Sequence, residues 1–294
     1  MNCGFVAIIG APNVGKSTFL NQALGFKLAI TSDKPQTTRH RLLGVYNTAG
    51  AQIVFLDTPG IHAAKTALNR RMVATAWQAL AEVDAVLFMA EVTAKGMAAA
   101  EKLAPRLAAL EVPVVLALNK IDLVPRKEAL LPLLEQAAGW GGWRAVVPIS
   151  GLKGDGVDIL VGELAQALPE GPPLFPEDVV TDLPLRFLAA EMIREKVFRL
   201  TGQEVPYGVA VTVDQYLEPA DETRPVAITA TIHVERSGHK GIIIGKGGAM
   251  IKKIGSQARQ DLEKLIGQQV FLDLFVRVEP KWSRREQGLS KMGY

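Results

Sequence analysis

Gly10, Gly15, Lys16 and Ser17 keep the spacing Gly-x-x-x-x-Gly-Lys-Ser directly after the apolar run Val6-Ala7-Ile8-Ile9. A strand ending in such a loop and continuing as a helix, expected over Thr18 to Leu24, aims backbone N–H groups inward and adds the positive end of the helix dipole. That combination cradles phosphate. On this reading Ala11, Pro12, Asn13, Val14 and Gly15 form the loop and Thr18 borders it. Lys16 reaches the β- and γ-phosphates, and the Ser17 hydroxyl ligates Mg²⁺.

Two further segments belong to the same chemistry. Asp57-Thr58-Pro59-Gly60 ends the apolar run Ile53 to Leu56. Asp57 is expected to hold Mg²⁺ through water, and the Gly60 N–H is available to the γ-phosphate. Between this segment and the first loop lies "KPQTTRHR", residues 34–41. One threonine there completes the metal shell; Thr38 is the first choice and Thr37 the alternative. The expected catalytic group is thus Lys16, Thr38 and Gly60, with Asn13 added below.

The base is read elsewhere. Asn119, Lys120 and Asp122 follow the apolar run Val114 to Leu118, at the carboxyl end where ligands sit in α/β sheets. Guanine offers two donors, N1–H and the exocyclic amine, and a carboxylate at Asp122 accepts both; adenine cannot supply that pair. The ligands are therefore GTP and GDP rather than ATP. Ser150, Gly151 and Leu152 end a further strand, where their backbone meets guanine O6.

The elements that must position these residues alternate. Phe5 to Ile9, Ile53 to Leu56, Ala85 to Ala90, Val114 to Leu118 and Ala145 to Pro148 read as strands, with helical patterns such as Ala67 to Glu82 and Arg126 to Ala138 between them. This predicts βαβ units on a mostly parallel sheet over residues 1–170. "PEGPPLFPED", with four prolines, breaks any regular element and places a linker at 171–180. Residues 181–294 read as a smaller α+β domain: a helix Leu185 to Leu200, the strands in "GVAVTVDQYLE" and "PVAITATIHVE", a glycine-rich turn, a helix Ala249 to Ile266 and the strand "VFLDLFVRV".

Bulk composition bounds the rest. At 294 residues the chain is long enough for two cores, and its 48% hydrophobic and 21% charged residues suit a soluble globular protein. No apolar run approaches the ~20 residues of a membrane span. The N-terminus reads as the first strand rather than a signal peptide. Cys3 is the only cysteine and is expected ahead of that strand, so neither an intrachain disulfide nor a cysteine-rich zinc site exists. Residues 1–180 carry 16 basic and 16 acidic side chains, whereas residues 181–294 carry 17 and 14. Seven basic residues fall within 236–264 against Asp261 and Glu263.

The five nucleotide segments in this order resemble the translation-factor-like branch of small GTPases. Two departures stand out. Ile61 follows Gly60, where a Ras-type GTPase places a water-orienting Gln, and Ile cannot orient water. His62 next to it has the chemistry of a base, though a solvated role suits it better. Asn13 resembles the pattern of GTPases that bind K⁺ beside the phosphates, where the ion supplies an arginine finger's charge.

In the second half, Gly245-Lys246-Gly247-Gly248 resembles the GXXG loop of a KH domain, in the type II order. Its small residues let a nucleic-acid backbone approach while Lys246 and the following helix N-terminus meet phosphates. Ile243, Ile244, Ile251 and Ile254 are placed to line a groove for bases, with Lys252 and Lys253 beside it; singly, each isoleucine also suits the core. Lys281, Arg284, Arg285 and Lys291 with Trp282 would extend the RNA track or belong to a docking helix.

A GTPase half followed directly by such a half resembles the Era/TrmE-like GTPases that carry a C-terminal type II KH domain, and the likeness covers essentially the whole chain. The resemblance implies a ribosome-assembly factor of the 30S subunit that binds the 3′ end of small-subunit ribosomal RNA, not DNA, in its GTP form and releases it after hydrolysis. It further implies a cytoplasmic protein loosely associated with the inner membrane face, for which no amphipathic anchor is legible. Two other classes compete: a constitutive RNA-binding module with a structural nucleotide, and a partner GTPase of RNA modification. The second is disfavoured by the lack of a catalytic cysteine or second cofactor motif.

Overall fold

A computed structural model describes residues 1–61, 66–202, 204–219, 221 and 224–294. His62 and part of the switch stretch 57–71 lie outside the described residues. The chain divides into two compact units, Met1–Ala64 with Arg71–Asp182, and Leu183–Tyr294 with Lys65–Arg70.

From Asn2 to Ala167 the elements run β1 Asn2–Gly10, α1 Lys16–Leu24, β2 Leu42–Asn47, β3 Ala51–Asp57, α2 Ala67–Gln78, β4 Ala85–Glu91, α3 Ala94–Glu101, α4 Ala104–Ala108, β5 Val114–Asn119, α5 Leu130–Ala138, β6 Ala145–Ile149 and α6 Val157–Ala167. The sheet order is β2-β3-β1-β4-β5-β6, parallel throughout except where β2 pairs antiparallel with β3. Central strands buried on both faces need continuous apolar runs, and Val6 to Ile9, Ala85 to Ala90 and Val115 to Leu118 are all fully buried. Register aligns the strand ends: Ile8 opposite Asp57, Gly10 opposite Met89, Glu91 opposite Asn119, and Asn119 opposite Ile149. One edge of the sheet therefore carries every nucleotide segment.

Strand β2 escapes the periodicity because Gly44 interrupts its apolar residues. That glycine makes room for α1: a Cβ there would sit 2.8 Å from Leu24 Cδ1 and 3.2 Å from Leu20 Cδ1. The Phe19 and Phe55 rings meet edge to face at 5.7 Å, fixing α1 on β3 with about 1 kcal/mol beyond simple burial. Cys3 lies inside β1, not ahead of it.

The proline-rich stretch belongs to the first unit. Buried Gln52 accepts from the N–H groups of Leu174 (2.7 Å) and Phe175 (2.9 Å), donates to Phe175 O (2.8 Å), and lies 3.7 Å from the Cys3 thiol. Further along, Val45 N–H donates to Val180 O at 2.8 Å and the Thr181 hydroxyl to Leu43 O at 2.6 Å, so the stretch covers the otherwise open edge of β2.

The second unit runs α7 Leu185–Leu200, β7 Val209–Leu217, β8 Val226–Val234, α8 Ser237–Ile244, α9 Ala249–Ile266, β9 Val270–Val278 and α10 Glu286–Lys291. Its sheet is β7-β8-β9, with β7 and β8 antiparallel and β8 and β9 parallel. Parallel neighbours need a crossover, supplied here by α8 and α9. Along β9 the residues alternate: Val270, Leu272, Leu274, Val276 and Val278 pack into the core while Phe271, Asp273, Phe275 and Arg277 face out. The segment expected as a glycine-rich turn is helical over α8. Gly238 and Gly241 lower its intrinsic propensity, and core packing of Ile243 overrides that.

Candidate functional site

The loop between β1 and α1 is shaped by glycine where side chains have no room. Gly15 has φ +99°, and a Cβ there would lie 2.3 Å from Asn119 Nδ2. A Cβ on Gly60 would lie 2.7 Å from Pro12 Cα, and the Ile61 N–H donates to Gly10 O at 3.1 Å. The DTPG segment thus lies directly against the P-loop. Lys16, buried, donates to Gly10 O (3.2 Å) and Ala11 O (3.1 Å). Burial lowers its ammonium pKa to about 8, against the pull of Asp57. Asn13 has φ +63°, and its amide donates to Asp33 O at 2.7 Å, joining the loop to residues 31–41.

Three oxygens converge beneath Lys16. Ser17 Oγ donates to Asp57 Oδ2 at 2.7 Å and lies 2.8 Å from Thr38 Oγ1. Having spent its one proton on Asp57, Ser17 accepts from Thr38. Thr37 instead donates to Lys34 O at 2.7 Å, so Thr38 is the threonine at the cluster. Asp57 is fully buried; desolvation raises its pKa to about 6, while Lys16 and hydrogen bonds from Ser17 and Thr58 oppose the rise. Its Oδ1 has no partner among the described residues. Two hydroxyls and a carboxylate with an idle oxygen fit a small hard dication such as Mg²⁺.

On the base side, Asn119 is held by backbone on two loops: Nδ2 donates to Val14 O (2.7 Å) and Oδ1 accepts from the Gly151 N–H (2.9 Å). It ties the phosphate loop to the Ser150 loop. Lys120, at φ +68°, pairs with Glu91 at 2.7 Å. Asp122 accepts from the Ser150 hydroxyl at 2.6 Å, which orients its carboxylate, and Leu152 beside it is 72% exposed.

In the second unit, three of the four residues of the loop between α8 and α9 have positive φ: Gly245 at 72°, Gly247 at 58° and Gly248 at 80°. A Cβ on Gly245 would lie 2.9 Å from Met250 N, so the turn requires glycine. Lys246 is exposed at its tip, and Gly248 leads into α9 without a side-chain cap. Ile244 and Ile251 are half-buried flanks, with Lys252 and Lys253 exposed. Ile243 and Ile254 are fully buried and belong to the core, not to a groove. Lys281, Arg284 and Arg285 are exposed, but Trp282 is not part of an RNA track: it is buried, donates to Gly208 O at 3.0 Å and stacks on Tyr294 at 5.6 Å.

A family model described as a 50S ribosome-binding GTPase matches residues 5–120, and one described as a KH domain matches residues 204–283. GTPase Era of Geotalea daltonii is 53% identical over 291 residues, spanning 99% of this chain and 97% of that protein. The chain belongs to the Era family of GTPases. Era of Geobacter metallireducens is 54% identical over the same length. Among solved structures, an Aquifex aeolicus Era variant bound to GDP·AlF₄⁻ matches with a TM-score of 0.94 at 44% identity, over 100% of this chain and 99% of that one. Era in complex with MgGDPNP and nucleotides 1506–1542 of 16S ribosomal RNA matches with a TM-score of 0.95 at 45% identity, with the same coverage.

Within this Era-family chain, sequence reasoning missed Glu91. Besides holding Lys120, it accepts from the Thr93 hydroxyl at 2.9 Å, and Gly96 leaves room for it, since a Cβ there would lie 2.6 Å from Glu91 Cβ. The available signal was an acidic residue closing the apolar run of β4, one strand over from Asn119.

Proposed function

We propose that the chain is a Mg²⁺-dependent GTP-hydrolysing switch that binds small-subunit ribosomal RNA near its 3′ end and acts in maturation of the 30S subunit. The observation that carries this reading is the Ser17–Thr38–Asp57 cluster, because Thr38 comes from a long polar segment. What binds at the cluster decides whether residues 31–41 stay in place. The relative solved with MgGDPNP and 16S nucleotides supports both the nucleotide and the RNA.

In this reading residues 1–170 form the GTPase domain, 171–180 a linker that packs on that domain, and 181–294 the RNA-binding domain. The backbone of residues 11–18 and the Lys16 ammonium hold the β- and γ-phosphates, Gly60 N–H faces the γ-phosphate, and Asp122 reads guanine beside the backbone of 150–152. Mg²⁺ on Ser17, Thr38 and Asp57 would neutralise charge on the phosphates. Ile61 supplies nothing to orient water, so unaided hydrolysis is slow. Asn13 offers a carboxamide oxygen beside the phosphates where K⁺ fits, and single-turnover hydrolysis in K⁺ against Na⁺ tests this. Equal rates overturn it. Loose attachment at the inner membrane face is the remaining part of the reading; partition of the chain onto lipid vesicles tests it.

A switch requires that RNA bind the two nucleotide states differently. The test compares affinity for the 16S 3′ end with GDP and with a non-hydrolysable GTP analogue. Tighter binding with the analogue is expected. Equal affinities would favour a constitutive RNA-binding module whose nucleotide is structural.

A further inference from the structure

Residues of α7, α8 and α9 pack with the core on one face of the β7-β8-β9 sheet, and the alternate residues of β9 point to the opposite face. On it Phe271 and Phe275 are 63% and 52% exposed. They are four residues apart on one strand, roughly 13 Å, and their cross-strand neighbours on β8 are small: Ala227 opposite Phe271 and Thr231 opposite Phe275. Both rings therefore present open faces. Exposed aromatics on an open sheet face are how RNA-recognition sheets stack two or three unpaired bases.

The surroundings of Phe275 are shaped for more than a ring. A cavity of about 610 Å³ is lined by Phe275, Asp214, Thr231, His233, Lys240 and Arg277, among others. Asp214 is occupied by hydroxyl donors on both oxygens, from Thr231 at 2.6 Å and Thr212 at 3.3 Å. The Thr212 hydroxyl also lies within hydrogen-bond distance of His233 Nε2, at 2.9 Å. His233 Nδ1 is buried and has no partner among the described residues. The cations Lys240 and Arg277 line the same cavity. At the other end of the face Phe271 borders a second cavity with Arg259 and Lys264. An aromatic face, an unpartnered ring nitrogen for a base edge and cations at both ends match the base, edge and phosphate of a single-stranded RNA. The exposed Asp273 between the two rings disfavours a phosphate there, consistent with bases at the centre and backbone at the ends.

Chain connectivity relates this face to the GXXG loop. Lys240 sits on α8, the helix that leads into that loop, and β9 is the edge strand of the sheet. A GXXG groove clamps about four nucleotides, so a longer RNA must leave it.

We propose that single-stranded RNA leaving the GXXG loop crosses the edge of β9 and stacks unpaired bases on Phe275 and Phe271. This rests on the RNA-binding reading above and adds a second surface to it. The test measures binding of two RNAs from the unpaired 16S 3′ end to the full chain loaded with a GTP analogue: one of four nucleotides, one of twelve. Phe275→Ala is expected to weaken the twelve-mer roughly tenfold, the loss of one base–aromatic stack, and to leave the four-mer unchanged. Phe275→Trp restores the affinity. Lys246→Asp weakens both RNAs, which separates failure of the loop from failure of the face. Equal losses for both lengths with Phe275→Ala, or no loss with either, overturn the proposal. If neither RNA binds the unaltered chain, the RNA reading falls and the second surface falls with it. Should Phe275→Ala spare RNA binding but change the sedimenting mass, the face is a contact between copies instead.

Discussion

Ser17 on α1 and Thr38, within a stretch 25–41 that holds no helix or strand, bring their hydroxyl oxygens to 2.8 Å. The pair closes a loop that the backbone alone would leave open, and it does so at the buried carboxylate of Asp57.

Thr38→Ala removes the one oxygen of the cluster that the loop supplies. Single-turnover GTP hydrolysis should fall roughly 100-fold, the scale of losing one preorganised charge-stabilising contact. GDP affinity should change by less than threefold, because the cradle and Asp122 are untouched. Thr37→Ala should cost far less, since the Thr37 hydroxyl donates to Lys34 O. A reversed ranking of the two variants would remove Thr38 from the metal shell.

Asp122→Asn should weaken GTP binding by at least tenfold and improve binding of xanthosine triphosphate, whose C2 carbonyl accepts from the new amide. Ser150→Ala removes the hydroxyl that orients Asp122 at 2.6 Å, and should cost about 1 kcal/mol in guanine affinity, roughly fivefold. Competition titration with both nucleotides reads these changes, and unaltered preference in Asp122→Asn refutes the base assignment.

Lys246→Asp places a carboxylate at the exposed tip of the GXXG loop. Crosslinking and sequencing of bound RNA in cells should show reads at the 3′ end of small-subunit RNA for the unaltered chain and their loss in the variant. Reads that persist would move the RNA site away from this loop.

His233 gives the second unit a pH dependence. Burial lowers its pKa below the ordinary 6.5, with Glu279 and Asp214 opposing and Lys291 and Arg277 adding to the shift. The unfolded chain therefore takes up a proton near pH 6.5 that the folded sheet refuses until lower pH, so stability is lost as pH falls below about 6.5. Thermal unfolding between pH 7.5 and 5 should show this slope, and His233→Gln should flatten it. An unchanged slope would assign the titration to another group.

Much of this was legible because the chemistry and the fold share the same residues. Apolar runs ending in Gly10, Asp57, Asn119 and Ser150 mark both the strands and the nucleotide edge, since a parallel sheet buried on both faces cannot hide its strands. Helices α7 and α9 and strand β9 run from and to the residues expected of them. Strand β2 was illegible because Gly44 serves helix α1 rather than strand propensity. Helix α8 was illegible because its glycines deny a propensity that Ile243 restores only through the core. The hold of Asn119 on two loops could not be read at all: spacing places a side chain at a strand end but does not say what it bonds.

Gln52, whose carboxamide gathers the 174–175 backbone, also lies against the chain's sole thiol. Cys3 is buried in β1, so an alkylating reagent reaches it only when that corner opens. Labelling of this single sulfur is therefore an intrinsic clock for the opening of that corner. Its rate in GDP and in a GTP analogue would report, without any added probe, how firmly each nucleotide holds the stretch that leads out of the first unit.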